Sequence, residues 1–89
     1  MKNEFEGLHN ELSKISFPHL YLFKFIVKAE MDKIAQVESL FDSNSAQIRI
    51  RESSKGSYIS ITVKEIMLSP DEIIHVYDQT SKINGVIAL

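Results

Sequence analysis

The sequence predicts a single α+β domain: a ferredoxin-like βαββαβ sandwich, with two helices on one face of a four-stranded antiparallel sheet and a short N-terminal helix. Two observations and one topological rule lead to this fold class. The 89 residues, 44% of them hydrophobic, can build one modest core. From residue 17 onward the apolar periodicity follows the order strand, helix, strand, strand, helix, strand. Right-handed crossovers place both helices on one side of the sheet and leave its other face open.

The first 16 residues are predicted to form an amphipathic helical extension. Four apolar residues in it have the spacing of one helical stripe. They are Phe5, Leu8, Leu12 and Ile15. Pro18 has no amide hydrogen and disfavours helical geometry at Phe17, so the helix is expected to end before this pair. The boundaries are therefore 1–16 for the extension and 17–89 for the ferredoxin-like domain.

Residues 19–28 are predicted to form the first strand, because they are rich in aromatic and β-branched side chains and too few for a typical helix. One row of this strand is entirely apolar and is expected to face the core. It consists of Tyr21, Phe23, Phe25 and Val27. Residues 31–41 then have the apolar spacing of an amphipathic helix, and Asp32 is expected to cap its N-terminus.

A hairpin is predicted next, because residues 47–52 ("QIRIRE") and 58–66 ("YISITVKEI") both alternate between apolar and polar side chains and are joined by a short connection.

The second helix of the sandwich has a strong start signal. Ser69 is the expected N-cap, Pro70 suits the first helical position, and Glu72 completes a capping box. Its buried stripe is expected to be Ile73, Ile74, Val76 and Tyr77. A turn at Asn84-Gly85 then leads into a last short strand, residues 86–89.

Composition excludes several classes of function. The chain has no cysteine, so it contains no disulfide and no thiolate metal site. A net charge of -2 argues against general affinity for nucleic acid. No apolar run approaches the length of a membrane span, and the N-terminus lacks the apolar core of a signal peptide. We therefore expect a cytoplasmic protein with no membrane association.

The histidines give no indication of catalysis. His9, His19 and His75 fall on three different predicted elements, and none has the spacing of a metal ligand pair or a catalytic triad. We expect no catalytic residues, no metal, no cofactor and no enzymatic activity.

A set of residues spread between Phe17 and Leu89 indicates a family. It comprises Phe17-Pro18, Lys24 after an aromatic in the first strand, Ser53-Ser54-Lys55-Gly56, Tyr58, Ser60, Thr62, Tyr77 and the hydrophobic last strand. Together these residues resemble the small bacterial YbeD-like family, whose function is unknown. The resemblance implies a ferredoxin-like fold similar to that of ACT domains, which bind small effectors and control metabolic enzymes. It implies no activity.

The segment Ser53-Ser54-Lys55-Gly56 has two interpretations. Its amides, hydroxyls and cation could bind an anion. It lacks the second glycine and the following helix of a phosphate-binding loop of the Walker type. The alternative is a hairpin turn in which Gly56 adopts a positive φ and the serines bond their own backbone.

The open face of the sheet is the predicted functional surface. The strand alternation places five cations and no acid there: Lys24, Lys28, Arg49, Arg51 and Lys64. The same face receives Leu20, Leu22, Ile26, Tyr58, Ser60 and Thr62. Exposed aliphatic side chains favour a covering partner, and cations favour an acidic or anionic one. The alternative is that the charges only protect sheet edges from wrong pairing.

The resulting hypothesis is a non-enzymatic regulatory or protein-interaction domain, ACT-like in architecture. Its partner would be an unidentified protein, a small anionic effector or a second copy in a homodimer. Nucleic acid is a less favoured partner, and RNA binding by the same face is the alternative function. The residues expected to contact the partner or ligand are Lys24, Arg49, Arg51, Lys55, Tyr58 and Lys64.

Overall fold

The computed structural model describes residues 5–89 and confirms the predicted fold class; the first four residues of the predicted extension lie outside it. In chain order the elements are α1 Glu6–Leu12, β1 His19–Lys28, α2 Met31–Glu38, β2 Gln47–Glu52, β3 Tyr58–Met67, α3 Pro70–Ser81 and β4 Val86–Ala88. The strands form one antiparallel sheet in the order β2-β3-β1-β4, so β1 and β3 are central. No helix in residues 5–89 is long and apolar enough to cross a membrane.

The core is built on the apolar row of β1. Phe23, Phe25 and Val27 are completely buried, as the alternation predicted. Across the antiparallel register Phe23 lies opposite Val63 and Phe25 opposite Ile61 on β3. Cross-strand pairs of aromatic and β-branched residues stabilise a sheet and fix its register. The buried rows of β1 and β3 therefore form the floor on which the helices pack.

Aromatic rings connect the sheet to the helical layer. The Phe23 ring centroid lies 5.2 Å from that of Phe41 and 5.5 Å from that of Tyr77. The hydroxyl groups of Tyr21 and Tyr77 are 3.0 Å apart and share a hydrogen bond between β1 and α3. Partial burial, together with this bond, raises the pKa of the Tyr77 hydroxyl well above its usual value of 10.0.

The start of α3 follows the sequence signal closely. The Ser69 hydroxyl accepts a hydrogen bond from the amide of Glu72 at 3.2 Å, and Pro70 is the first helical residue. The Glu72 carboxylate accepts from the amide of Leu68 at 3.0 Å, one residue before the position that a capping box requires. The serine cap is confirmed, and the return bond of the box is displaced by one residue.

The start of α2 differs from the prediction. Glu30 is the N-cap, with an extended backbone and no side-chain cap, and Asp32 is the second helical residue. The amides of Lys33 and Ile34 both donate to the Glu30 carbonyl, so the first turn closes two residues earlier than an Asp32 cap would allow. The carboxylate of Asp32 still lies in the first turn, where the helix dipole favours it.

The N-terminal helix α1 packs against α3. Leu12 is 3% exposed and belongs to the main core. The Nε2 atom of His9 lies 3.2 Å from Oδ1 of Asp71 at the start of α3. The chain then passes through a cis peptide bond between Phe17 and Pro18 into β1. The amphipathic spacing of the extension thus buries its last leucine in the core of the sandwich.

Loss of the α3 cap is expected to lower stability. Ser69→Ala removes the acceptor for the Glu72 amide, and such cap deletions lower the free energy of unfolding by about 1 kcal/mol. Urea denaturation followed by circular dichroism measures this change. Ser54→Ala, in the exposed hairpin connection, is the matched control and should change stability by less than about 0.5 kcal/mol. Equal effects of the two substitutions would contradict the role assigned to Ser69.

The Tyr21–Tyr77 contact predicts that the free energy of unfolding decreases as the pH rises above 10. The raised pKa means that Tyr77 ionises more readily in the unfolded chain, so its stabilising effect is complete below pH 10 and is lost as the pH rises further. The free energy of unfolding should fall by less than about 1.4 kcal/mol per pH unit, which is the limit for one proton, because solvent partly screens the hydroxyl. Between pH 9 and 11, the measured free energy of unfolding should decline less steeply for Tyr77→Phe than for the unsubstituted protein. Identical declines would exclude Tyr77 as the titrating group.

Candidate functional site

The face of the sheet opposite the helices is formed by alternate residues of all four strands, and we call it the open face. Its neighbouring pairs across the sheet include Arg49 beside Thr62 and Thr62 beside Lys24. The two carboxylates in the strands, Glu52 and Glu65, have the opposite parity and belong to rows on the helix side. Within the four described strands the open face therefore presents cations and no acid, as the alternation predicted.

A shallow cavity of about 310 Å³ lies on the β2–β3 side of the open face. We call it the cationic cavity. It is lined by four cationic and two hydroxyl side chains, together with Gln47 and Ile48. These six residues are Lys24, Arg49, Arg51, Lys64, Ser60 and Thr62. All four cations are exposed, whereas both hydroxyl residues are half-buried between them. The cavity thus has a polar floor and a cationic wall.

The β1 side of the open face is apolar. We call this part the apolar band, and it consists of Leu20, Leu22, Ile26, Ile66 and Ile87. Ile66 lies opposite Leu20, and Ile87 opposite Ile26. Lys24 stands between Leu22 and Ile26 on β1, so the cationic cavity and the apolar band share a border. The open face therefore carries the cationic cavity beside an apolar band that Lys24 interrupts.

Four of the six predicted contact residues come together in the structure. Lys24, Arg49, Arg51 and Lys64 all line the cationic cavity.

The other two predicted residues lie apart from this cavity. Tyr58 is 47% exposed on the open face, beside Lys28, and borders a separate hollow with Gly56 and Ser57. Lys55 is exposed in the hairpin connection and lines neither that hollow nor the cationic cavity.

The sequence reasoning missed two apolar members of the face. Ile66 has the same parity as Lys64 on β3, so the alternation could have identified it. Ile87 could not be assigned to a face, because its orientation depends on the pairing of β4 with β1. Ile50 lies on the helix side as predicted but is 46% exposed, since β2 is an edge strand.

The segment Ser53-Ser54-Lys55-Gly56 has the bonding pattern of a turn. The amide of Gly56 donates to the Ser53 carbonyl at 3.0 Å, and the amide of Tyr58 donates to the Ser53 hydroxyl at 3.2 Å. Gly56 has a φ of 71°, in the left-handed region. Because these two amides already donate inside the turn, they are not available to an anion. The geometry favours the hairpin interpretation.

The histidines lie at separate places on the molecule. His9 contacts Asp71, His19 packs its ring edge-on against Phe17, and His75 is exposed on α3. Residues 5–89 contain no cluster of three or more His, Cys, Asp or Glu side chains that could hold a metal ion.

Replacement of the turn glycine tests the structural role of this segment. Gly56→Ala forces a residue with a Cβ atom into the left-handed region, which costs about 1–2 kcal/mol. Gly7→Ala, in α1, meets open space and should be neutral or slightly stabilising. Urea denaturation of both variants gives the comparison. A Gly56→Ala protein as stable as the unsubstituted one would contradict the turn geometry.

Comparisons with known proteins agree with this fold. Among solved structures, an uncharacterized protein from Thermotoga maritima matches with a TM-score of 0.66 and 16% identity, over 80% of this chain and 91% of that chain. At this identity the likeness shows the fold alone. No curated protein matches the chain. The family described as "Protein of unknown function (DUF493)" matches residues 12–89. The chain therefore belongs to the DUF493 family, which includes the YbeD-like proteins that its sequence resembles.

Proposed function

We propose that this protein is a non-enzymatic regulatory or protein-interaction domain that binds a partner protein through its open face. The observation that supports this most is the exposure of the apolar band. Leu20, Leu22, Ile66 and Ile87 are 57%, 54%, 54% and 58% exposed. Leu20, Leu22 and Ile66 are neighbours on the sheet, and exposed aliphatic side chains grouped in this way on a small domain favour a binding surface.

The neighbouring charges specify what kind of partner fits. Lys24 interrupts the apolar band, and Lys64 lies directly opposite Leu22. A partner that covers the band must therefore also approach these cations, and desolvating them without a counter-charge is unfavourable. The complementary surface has an apolar centre with carboxylates along one side. Electrostatic complementarity of this kind speeds association and selects among partners.

A second copy of the open face is a poor complement for the first. Two copies packed sheet to sheet around a two-fold axis would place cations either against cations or against the apolar band. The four strands offer no carboxylate on this face to compensate in either arrangement. Charge therefore favours a foreign partner over a homodimer formed by this surface.

The core supports a non-enzymatic role. In residues 5–89, Thr80 is the one polar side chain among the buried residues, whereas catalytic sites typically hold buried titratable groups with perturbed pKa values. The raised pKa of Tyr77 belongs to a partly buried hydroxyl whose hydrogen bond to Tyr21 joins β1 to α3. The absence of cysteine from the chain is compatible with the reducing cytoplasm, where we place the protein.

RNA binding has less support. Domains of this topology that bind RNA stack bases on outward aromatic side chains of the central strands. Phe23 and Phe25 are completely buried, and Tyr58 is the one aromatic on the open face of the four described strands.

Polar substitutions in the apolar band are expected to abolish partner capture. The protein immobilised as bait in native lysate is compared with a Leu20→Ser/Leu22→Ser variant and with Met31→Ser. Met31 is 83% exposed at the start of α2, away from the open face, and is the matched control. A partner captured by the unsubstituted protein and by Met31→Ser should be lost from the double variant. The purified partner should bind the double variant at least about ten-fold more weakly.

Two further measurements complete the test. Arg49→Glu/Arg51→Glu should slow association with the purified partner, and the slower rate should depend on salt concentration. Light scattering of the unsubstituted protein gives its oligomeric state. An identical set of captured proteins on all three baits would contradict the proposal. A stable homodimer that the Leu20→Ser/Leu22→Ser variant no longer forms would also contradict it, because the face would then bind a second copy.

A further inference from the structure

We propose that the cationic cavity is a binding site for a compact oxyanion with at least two negative charges, such as a phosphorylated or polycarboxylate small molecule. The site lies on the β2–β3 half of the open face. It does not depend on the docking of a protein to the apolar band.

The first argument is the lack of compensating charge. The ion pairs found in residues 5–89 join His9 to Asp71, Lys14 to Glu11 and Lys82 to Asp78. None of them involves a cation of the cavity, and the acids of β2 and β3 belong to rows on the other side of the sheet. The charge of the cavity is therefore uncompensated by the described part of the chain.

The second argument is the closeness of these charges. Arg49 and Arg51 are two residues apart on one strand, which spaces their backbones by about 7 Å. Lys24 and Arg49 lie on either side of Thr62, so two inter-strand spacings, about 10 Å, separate them. The Debye length is about 10 Å at 0.1 M salt. The cations therefore repel one another, and a bound polyanion would relieve this repulsion.

Protection of the sheet edge accounts for only half of the cluster. Arg49 and Arg51 are on β2, an edge strand, where charges discourage pairing with another chain. Lys64 on β3 lies between Leu22 and Gln47 of the neighbouring strands. Lys24 on β1 pairs with Thr62 on one side, and on the other side its carbonyl accepts a hydrogen bond from the amide of Leu89. Charges on central strands protect no edge, so their convergence on the same cavity needs another explanation.

The hydrogen-bonding groups of the cavity match an oxyanion. Two guanidinium groups offer paired donors with the geometry of carboxylate and phosphate oxygens. The hydroxyls of Ser60 and Thr62 lie on the floor between the cations. A volume of about 310 Å³ is at the small end of the range for ligand sites. The site thus suits a small ligand with several charges.

The test uses pyrophosphate and citrate as probes, with acetate as the monovalent control, all at matched ionic strength. Isothermal titration of the full chain should give a dissociation constant for pyrophosphate or citrate at least about ten-fold below that for acetate. The preferred probe should also raise the Tm, and 0.5 M KCl should weaken its binding. Equal affinities for all three anions, or no binding at all, would overturn the proposal.

Charge-neutralising variants locate the site. Arg49→Gln and Lys64→Gln should each weaken binding of the preferred probe about ten-fold. Without ligand they should keep or raise the Tm, because they reduce repulsion within the cluster. Lys55→Gln removes the same charge from the hairpin connection, outside the cavity, and should leave the dissociation constant unchanged. A loss of affinity in Lys55→Gln equal to that in Arg49→Gln would overturn the proposal. Tighter binding of a single-stranded RNA oligonucleotide than of pyrophosphate or citrate would overturn it too.

Discussion

Burial of the aromatic row on β1 is the constraint on which the rest of the structure depends. Phe23 and Phe25 are completely buried, and their rings pack against that of Phe41 in the segment that follows α2. A slip of β1 by one residue would expose both rings and bury Lys24 in their place. The large free-energy cost of that exchange fixes the parity of β1. Through the β1–β3 register it also fixes which side chains of β3 face water. The cationic cavity is a consequence of hydrophobic burial on the opposite side of the same strands.

The fold was predictable because each element has a local signal. The alternation in residues 47–52 and the Ser69-Pro70 start depend only on neighbouring residues, and both match the structure. The boundaries of α2 were less predictable. An acidic residue suits both an N-cap and a first turn, and only the backbone bonds to the Glu30 carbonyl distinguish the two. Contacts between distant segments, such as His9 with Asp71, have no local signal at all.

The candidate site was predictable to the extent that it depends on alternation. Lys24, Arg49, Arg51 and Lys64 share a face through strand parity, which the sequence contains. Their meeting at one cavity depends on the order of the strands, which places β3 between β2 and β1. The position of Lys55 does not follow from strand alternation. Lys55 was expected to contact a ligand as the cation of a turn that could bind an anion, but the turn carries it beyond the end of the strands.

The open face combines an ordered backbone with long, exposed charged side chains. β3 has strand neighbours on both sides at residues 59–64, and β1 has them at residues 25–27. Their backbone is therefore already ordered before any partner arrives, and no loop has to fold around one. The lysine and arginine side chains are long, exposed and free to change rotamer, so ordering them is the main conformational entropy cost of an encounter. A surface with a fixed backbone and mobile charged groups can adapt to molecules of different outline, and it discriminates among them by the number and spacing of their charges more than by their shape.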